Sequence, residues 1–576
     1  MKNTVQFQTI ANNTFRIFFA GLFFVAAAFS QENVTIRVNA ASTIGPYKPI
    51  TGFFGYDEPN YTYAPNGRKL VGELGNISGN PKSKNPPTYI RTHFMLATGD
   101  GTPGFKWGST NAYTEDANGK PIYDWTIVDR ILDTYIKGGA KPYVEVSFTP
   151  KALSSHPDPY EPHWKPGDNF SQYYLGWAYP PNDYAKWGEL VNQWVKHEVA
   201  KYGPAEVETW YWEIWNEPDI AYWHGTPAEY DKLYDYASDA IKRALPAAKV
   251  GGPASTGPNS TRAAAFLKQF LEHCDSGKNE ATGATGAPLD FISYHAKGQP
   301  QVVQGHVRMG IAKNVADAAQ GMQIVASFPK FRNLPIVISE SDPEGCGACS
   351  ARVYPQNAYR NGSLYASYEA AMMKNVLELS AGAKTNIAGM LTWAFEFEGQ
   401  PYFEGFRTLA TNGVDKPVLN TFRMAGRLHG DRVALESSGA IPVTTIQSSG
   451  VRGAQPDIDG VAVRGPRELS IMVWNYHDDD LAAPASPVKL TIDGLPAAAK
   501  KLTLHHYRID DTHSNAWTAW KNMGSPQQPT PAQYKQLEAA GQLQELQPPS
   551  NVPGGKEVNL DFTLPREGVS LVQLSW

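Results

Sequence analysis

Short apolar runs rich in β-branched residues alternate with amphipathic stretches from about residue 45 to residue 425. Each run ends in glycine, proline or a polar residue, and the intervening stretches carry apolar residues at helical spacing. Strands are predicted at 52–55, 88–93, 141–147, 209–215, 249–252, 290–295, 335–339 and 389–393. The clearest helices are predicted at 126–137, 181–202, 228–245 and 365–381. Eight repeats of strand followed by helix predict a parallel sheet closed into a (β/α)8 barrel, the TIM-barrel architecture.

The pattern changes beyond about residue 430, where strand-like runs follow one another between turn signals. These runs lie at 469–474, 488–492, 502–507 and 569–576, and the helix-like stretch around 532–541 is the exception. They predict an accessory all-β sandwich over residues 431–576. Residues 33–38 alternate like a strand but precede the barrel. We therefore assign residues 31–430 to the barrel and leave open that 31–44 add a strand to the sandwich.

The first thirty residues have the pattern of an export signal. Lys2 and Arg16 precede the apolar run 17–28, which is too short to span a bilayer and ends near Ser30. This predicts a signal peptide over residues 1–30 and a secreted or periplasmic protein. No later apolar run approaches 18 residues, so no membrane span is predicted.

Composition narrows the function classes. Lys and Arg number 51 against 56 Asp and Glu, giving a net charge of −5, so the chain lacks the basic field that grips nucleic acid. Hydrophobic residues make up 42% of the chain and predict well-packed cores. An exported chain of near-neutral charge favours a hydrolase over a cofactor-dependent enzyme, and no cofactor is expected.

Two glutamates end predicted barrel strands. Active sites of these barrels lie at the carboxyl ends of the strands. Glu217 follows the fourth strand and Glu340 ends the seventh, so the two face each other across the predicted mouth. A single glutamate at a strand end is more often a salt-bridge partner. A facing pair favours retaining glycoside hydrolysis, in which one carboxyl group protonates the leaving oxygen and the other attacks the anomeric carbon.

The residues around Glu217 carry a family resemblance. Trp212-Glu-Ile-Trp-Asn-Glu-Pro-Asp219 looks like the acid/base signature of retaining (β/α)8 glycosidases. Its surroundings are similar to glycoside hydrolase family 39, the family of β-xylosidases. The similarity covers most of the chain after the leader. Further runs that carry it lie at 142–150, 179–184, 290–295, 506–510, 513–515 and 520–524.

The resemblance implies roles for individual residues. Glu217 would be the general acid/base and Glu340 the nucleophile, with no metal. Substrate-binding roles are implied for Asn216 (the 2-hydroxyl group of the sugar), His93 and His295 (polar contacts), Trp393 (aromatic floor of the pocket) and Glu398 (hydroxyl acceptor). Each has a structural alternative: a loop-closing amide for Asn216, a structural histidine for His93 and His295, and core packing for Trp393.

Two places depart from the family pattern. Where members often read His-Ala-Tyr after the sixth strand, this chain reads His295-Ala-Lys297. Lys297 either orients Glu340 and lowers its pKa, or extends to solvent. The loop after Trp393 is shorter than usual, so the choice between Glu398 and Glu396 as hydroxyl acceptor stays open.

Two smaller motifs remain, a pair of cysteines at 346–349 and a run of three aspartates at 478–480. Cys346-Gly-Ala-Cys349 follows Glu340 directly, and a CxxC motif can be redox-active or bind zinc. We expect a local disulfide that braces the nucleophile loop. Asp478-Asp-Asp480 could hold Ca²⁺, but three acids without ligand spacing predict a solvated turn.

We therefore expect an exo-acting retaining glycosidase that releases single xylose units from the nonreducing ends of β-xylosides and xylo-oligosaccharides derived from hemicellulose. An α-L-arabinofuranosidase, or a related pentose-releasing enzyme, is the alternative, because the catalytic pair does not specify the ring form. A non-catalytic carbohydrate-binding protein is the alternative from another class.

Overall fold

Eight parallel strands close into a barrel, which confirms the predicted (β/α)8 architecture. The computed structural model describes residues 33–77, 87–393 and 395–576, so the predicted signal peptide at 1–30 lies outside the described residues. The barrel strands are Phe53–Tyr56, Tyr89–Thr92, Lys141–Val146, Tyr211–Ile214, Lys249–Ser255, Phe291–His295, Pro335–Glu340 and Asn386–Trp393. The first strand pairs in parallel with both the second and the eighth, so all carboxyl ends meet at one mouth.

Helices connect the strands on the outside of the barrel. They span Pro65–Gly75, Thr126–Gly138, Tyr184–Tyr202, Pro204–Val207, Pro227–Ala244, Thr261–Ser276, Ile311–Ala326, Ser363–Ala383 and Pro417–Ala425. The described loops carry three short hairpins, which pair Tyr113–Glu115 with Pro121–Tyr123, Gln301–Val303 with His306–Arg308, and Ala410–Thr411 with Val414–Asp415. They also carry 3-10 helices at Pro59–Tyr61, Lys151–Leu153, Phe170–Gln172, Gly176–Ala178 and Pro355–Asn361. The helix predicted from residue 181 begins at Tyr184, because the side chain of Asp183 caps it by accepting from the backbone N–H of Lys186 at 3.0 Å.

Aromatic side chains fill the amino-terminal end of the barrel. The rings of Tyr143 and Tyr211 stack with centroids 5.2 Å apart, and Phe53 stacks on Tyr89 at 5.0 Å. Phe291 packs edge-on against Tyr211 at 4.9 Å. All five residues stand at or near the start of their strands, so this end is a packed core. The opposite end is left for chemistry.

The second region is mostly sheet. Nine strands form one continuous sheet in the order Gln544–Pro553, Lys501–Ile509, Val569–Ser575, Glu468–Tyr476, Asp457–Arg464, Asp431–Ser437, Val34–Pro46, Ser486–Asp493 and Glu557–Leu564. Its apolar core draws on strands from both halves of that order. Strand Val34–Pro46 pairs antiparallel with Asp431–Ser437 and parallel with Ser486–Asp493, so the start of the described chain lies within the sheet. The accompanying helices are Val443–Ser449, Ala516–Asn522 and Pro531–Gly541, of which only the last was predicted.

Asp478 joins the sheet region to the barrel. Its Oδ1 accepts from the backbone N–H of Ile311 at 3.1 Å, at the start of a barrel helix, and from the Tyr476 hydroxyl at 2.6 Å. Its Oδ2 accepts from the backbone N–H of Val451 at 3.1 Å. The prediction of a solvated turn is therefore wrong for Asp478, because this buried carboxylate satisfies otherwise unpaired donors at the boundary. Among the described helices, none combines the length and the apolar character needed to cross a bilayer.

Candidate active site

A cavity of about 250 Å³ lies at the mouth of the barrel. Four of the residues predicted for the site line it, namely Asn216, Glu217, Glu340 and His93. The other lining residues come from loops that the motif analysis did not single out for the site, except Cys346, and are Asp57, Lys106, Phe170, Tyr174, Tyr222, Gly345, Cys346 and Arg407. The cavity is therefore a pocket of mixed charge with aromatic walls.

Glu217 and Glu340 lie close together across this cavity. A carboxylate oxygen of each and a ring nitrogen of His295 all lie within 4.8 Å of one another. Retaining glycosidases have carboxyl groups about 5 to 5.5 Å apart, whereas inverting enzymes need about 6.5 to 9.5 Å to admit a water molecule. The observed spacing is that of the retaining arrangement.

The backbone after the fourth strand is strained where it presents Glu217. Trp215 and Glu217 both have positive φ, at 73° and 46°. The backbone N–H of Glu217 donates to the carbonyl oxygen of Ala254 on the fifth strand at 2.9 Å, and the indole N–H of Trp215 donates to the carbonyl oxygen of Tyr222 at 3.1 Å. Such conformations persist only where the surrounding structure enforces them, and they cluster at functional sites.

His295 contacts both glutamates. Its Nδ1 lies 2.9 Å from Oε1 of Glu217, and its Nε2 lies 3.7 Å from Oε1 of Glu340. The ring is fully buried at the end of the sixth strand. The structure therefore places His295 between the two carboxyl groups and closer to Glu217.

Two cations hold the carboxylate of Glu340. The Nζ of Lys297 lies 2.5 Å from Oε2, and Nη1 of Arg91 lies 3.2 Å from Oε1. Burial alone would raise the pKa of Glu340, but the nearby His295, Lys297 and Arg91 side chains outweigh it and hold that pKa well below its ordinary value. Of the two predicted positions of Lys297, the structure has the one that contacts Glu340. The same Nζ lies 3.3 Å from Asp342.

Arg91 anchors a buried charged layer beneath the cavity. Its Nε lies 2.5 Å from Glu213 and its Nη2 lies 2.8 Å from Glu145. Nη2 also donates to Oδ1 of Asn216 at 3.1 Å, which fixes that amide and leaves its N–H groups as the donors that Asn216 can offer to a sugar. Sequence reasoning missed Arg91, and its only signal was its place two residues before His93, on the inward side of the same strand.

His93 and Trp393 pack together beside this layer. The rings lie 5.2 Å apart in an edge-on arrangement, and Nδ1 of His93 lies 3.3 Å from Oδ1 of Asp57. Burial lowers the pKa of His93 and favours the neutral ring. Trp393 is 1% exposed, lies behind His93 and does not line the cavity. It covers Gly55, where a Cβ atom would stand 2.1 Å from the indole, so its position matches the core-packing alternative.

The two glutamates of the eighth-strand loop lie elsewhere. The carboxylate of Glu398 accepts from the backbone N–H of Asn66 at 2.8 Å and from its Nδ2 at 3.1 Å, at the start of a helix. Glu396 accepts from the backbone N–H of Gly413 at 2.5 Å, and burial raises its pKa to about 8. Neither residue lines the cavity. Glu398 therefore accepts from a helix N-terminus outside the cavity, and its contact with a sugar hydroxyl group stays a prediction.

The predicted disulfide between Cys346 and Cys349 is confirmed. The carbonyl oxygens of its loop hold two buried arginines, Arg360 through its guanidinium group and Arg407 through its backbone. Arg360 donates to Cys346 at 2.7 Å and to Cys349 at 2.8 Å, and the backbone N–H of Arg407 donates to Gly347 at 3.0 Å. Cys346 and Arg407 both line the cavity, so the disulfide braces part of its wall.

Within the described residues, two groups of side chains have spacing that suits a metal ion. One consists of Glu217, His295 and Glu340, whose atoms already form the paired arrangement described above. The other consists of Asp129, His197 and Glu198 on the outside of the barrel. There Asp129 is already paired with His197 at 2.8 Å and with Lys201 at 3.1 Å, so a cation would have to displace an ion pair.

Comparison with known proteins places this geometry in context. The family model of the glycosyl hydrolases family 39, which describes the sequences of that family, matches residues 89–554 of this chain. The chain is 27% identical over 450 residues to a β-xylosidase of Caldicellulosiruptor saccharolyticus, covering 76% of this chain and 80% of that protein. It is 24% identical over 553 residues to an α-L-iduronidase of Mus musculus, covering 90% of this chain and 77% of that protein. The crystal structure of the GH39 enzyme from Xanthomonas axonopodis pv. citri matches with a TM-score of 0.72 at 22% identity, over 96% of this chain and 100% of that one, and shares the fold.

Proposed function

Because the chain belongs to glycosyl hydrolase family 39 and is therefore a glycosidase, we propose that it releases single xylose units from the nonreducing ends of β-xylosides by a retaining double displacement. The observation that carries this proposal is the spacing of Glu217 and Glu340, which have carboxylate oxygens within 4.8 Å of one another. β-Xylosidases of about this length are among its relatives. The substrate is a hemicellulose-derived oligosaccharide.

In the first step Glu340 attacks the anomeric carbon while Glu217 gives its proton to the leaving oxygen. Lys297 and Arg91 keep Glu340 ionised, because both cations lie against its carboxylate. His295 holds Glu217 through the 2.9 Å contact with Nδ1. The N–H groups of Asn216 face the 2-hydroxyl group of the sugar, where a hydrogen bond strengthens in the transition state.

In the second step a water molecule takes the place of the leaving group. Glu217, now ionised, removes a proton from this water as it attacks the glycosyl-enzyme. Glu340 leaves as a carboxylate, again stabilised by Lys297 at 2.5 Å. The sugar is released with its original anomeric configuration.

A uronic-acid-releasing activity is the second candidate. Arg407 lines the cavity, and its buried Nε–H has no hydrogen-bond partner within the described residues. Lys106 also lines the cavity, and Lys297 lies beside the nucleophile. These cations suit a carboxylate on the sugar, and α-L-iduronidases are among the relatives.

A panel of aryl glycosides separates these candidates. A β-D-xyloside, a β-D-glucuronide and an α-L-iduronide share their configuration from C1 to C4 and differ only at C5, which carries hydrogen or a carboxylate in one of two orientations. An α-L-arabinofuranoside adds the furanose alternative. We expect kcat/KM on the aryl β-xyloside to exceed the others by at least about tenfold. If a uronide is the substrate hydrolysed best, the second candidate replaces the first. If the folded protein binds xylo-oligosaccharide but hydrolyses none of the glycosides, both candidates are contradicted.

We also propose that the protein is exported. The Cys346–Cys349 disulfide supports this, because such bonds persist in oxidising compartments. Cell fractionation of the tagged full-length chain tests the proposal. Recovery of the uncleaved chain in the cytoplasmic fraction contradicts it.

A further inference from the structure

A buried ion pair that plays no part in the two chemical steps lies in the cavity wall. Asp57 follows the first barrel strand, and Lys106 stands in the loop after the second strand. The Nζ of Lys106 lies 3.4 Å from Oδ2 of Asp57, and each residue is only 4% exposed. Both line the cavity that holds Glu217 and Glu340.

The loop around Lys106 is built to hold this side chain in place. The backbone N–H of Lys106 donates to Oε1 of the buried Glu58 at 2.7 Å, and Lys106 has a positive φ of 57°. A lysine in this conformation costs free energy, so the surrounding structure must enforce it. The ammonium group has donors beyond the one that faces Asp57, because lysine carries three.

Both members of the pair are charged. Burial would lower the pKa of Lys106, but Asp57 and Glu58 outweigh it and hold the pKa above its ordinary value. Burial would raise the pKa of Asp57, but the positive charge around it, above all that of Lys106, outweighs burial and lowers the pKa. The cavity wall therefore offers a fixed hydrogen-bond donor next to a fixed acceptor.

The position of the pair identifies which part of a sugar it meets. Along the wall, Glu340 Oε1 lies 3.7 Å from Nε2 of His93, and Nδ1 of the same ring lies 3.3 Å from Asp57. His93 thus contacts the nucleophile through one ring nitrogen and Asp57 through the other, and among the described residues Lys106 has its ion-pair contact with Asp57 rather than with Glu340. The leaving group extends toward Glu217 on the fourth strand, whereas Asp57 follows the first strand on another side of the closed barrel. The pair thus stands at a part of the cavity wall other than the one that presents the acid/base.

We propose that Asp57 and Lys106 bind the free hydroxyl group on C4 of the nonreducing sugar and so restrict the enzyme to chain ends, an inference that rests on the proposed glycosidase mechanism. C4 is opposite C1 in a pyranose ring. Asp57 accepts the hydrogen of O4, while Lys106 donates to its oxygen. An internal unit of a β-1,4-linked chain carries a sugar on O4 and has no hydrogen to give, so Asp57 would lose this hydrogen bond and the linked sugar would have to fit against the buried pair.

The test compares matched substrates on matched variants. In the wild type, kcat/KM should fall by at least about 100-fold from the aryl β-xyloside to its 4-deoxy analogue. Lys106→Met should lose at least about tenfold on the parent glycoside, and its 4-deoxy penalty should shrink below about fivefold, because the contact is already missing. The penalty for a 2-deoxy analogue, which depends on Asn216, should be the same in both proteins. Asp57→Asn is carried through the same comparison, in case Lys106→Met does not fold.

Lys186→Met is the matched control, because Lys186 also pairs with a carboxylate, Glu115 at 2.7 Å, but lies outside the cavity. It should keep the wild-type rate and the full 4-deoxy penalty. An undiminished 4-deoxy penalty in the Lys106 and Asp57 variants would overturn the inference, even with lower overall activity. Absence of xyloside hydrolysis in the wild type instead counts against the proposed function, and the comparison then moves to the aryl uronide that is cleaved and its 4-deoxy form.

Discussion

Nδ1 of His295 lies 2.9 Å from Oε1 of Glu217. The other nitrogen of this ring faces Glu340 at 3.7 Å, so a single imidazole spans the space between two carboxyl groups of different roles. The contacts are unequal: among the described residues, the cations Lys297 and Arg91 lie against Glu340, whereas the imidazole of His295 lies against Glu217. This asymmetry matches a nucleophile that stays ionised and an acid/base that must gain and lose a proton.

Replacing the nucleophile should abolish turnover. Glu340→Gln removes the charge that attacks the anomeric carbon, so kcat/KM should fall by at least about 1,000-fold on every substrate. Initial rates on the aryl glycoside panel measure this. Glu161→Gln, at an exposed position, should keep the wild-type rate. Retention of more than a tenth of the activity in Glu340→Gln contradicts the assignment.

Replacing the acid/base should separate the two steps. In Glu217→Ala an activated aryl leaving group still departs without protonation, but deglycosylation lacks its general base. A burst of phenol followed by slow turnover is therefore expected in stopped-flow measurements. Azide, which needs no deprotonation, should restore turnover and give a β-glycosyl azide. Azide rescue of Glu340→Gln with an inverted product, and none of Glu217→Ala, means that the two roles are reversed.

The charge of Lys297 should set the acid limb of the pH profile. Glu340 acts as a carboxylate, and its pKa lies well below the ordinary value in the wild type, so activity persists as the pH falls below that value. Lys297→Met removes a cation at 2.5 Å, raises the pKa of Glu340 and should move the acid limb of kcat/KM up by at least about one pH unit. Lys278→Met, an exposed control, should leave the limb in place. An acid limb that does not move, in folded protein, shows that Glu340 does not sense this charge.

Opening the disulfide should weaken substrate binding more than chemistry. The loop carbonyls that hold Arg360 and Arg407 depend on the Cys346–Cys349 ring, and Arg407 lines the cavity but takes no part in the two proposed chemical steps. The Cys346→Ser and Cys349→Ser double variant should raise KM several-fold, with a smaller change in kcat. Because the closed loop is short, the free energy of unfolding should fall by only about 2 kcal/mol or less.

Dithiothreitol should reproduce this effect in the wild type, and reoxidation should reverse it. Cys274→Ala serves as the control, because Cys274 is buried and outside the disulfide. Equal kinetics for oxidised and reduced enzyme contradict a role of the bridge in the cavity wall.

Asp478 should matter for stability rather than for chemistry. Asp478→Ala leaves the backbone N–H groups of Ile311 and Val451 and the hydroxyl of Tyr476 without their acceptor. Urea denaturation should show a loss of about 2 to 4 kcal/mol in the free energy of unfolding. Asp561→Ala, at an exposed strand position, should change it by less than about 0.5 kcal/mol. A loss for Asp478→Ala no larger than that of the control contradicts this account.

The barrel and the acid pair were predictable because their signals are local. Apolar β-branched runs followed by amphipathic stretches mark each strand and helix, and the motif around Glu217 lies directly after one such run. The strand end also fixes where Glu340 points. The predicted positions of both glutamates depend on few residues outside their own strands.

The rest of the cavity depends on contacts between distant segments. Glu398 binds Asn66, which lies 332 positions earlier, and no local pattern shows that this helix N-terminus occupies its carboxylate. Lys106 and Arg407 stand in loops, and the path of each loop depends on its contacts with distant parts of the chain. The local sequence therefore does not show that these side chains reach the cavity. Arg91 is buried by three carboxylates from other strands, whereas an isolated arginine in a sequence is typical of a surface.

The pairing of strand Val34–Pro46 dictates an order of assembly. Its neighbours in the sheet, Asp431–Ser437 and Ser486–Asp493, leave the ribosome only after the whole barrel has been synthesised. The barrel is thus an insertion between adjacent strands of the sheet, and its first and last segments must return to the same place before the sheet can form. Until then the early strand has both edges unpaired, which makes it a natural target for chaperones that bind nascent chains.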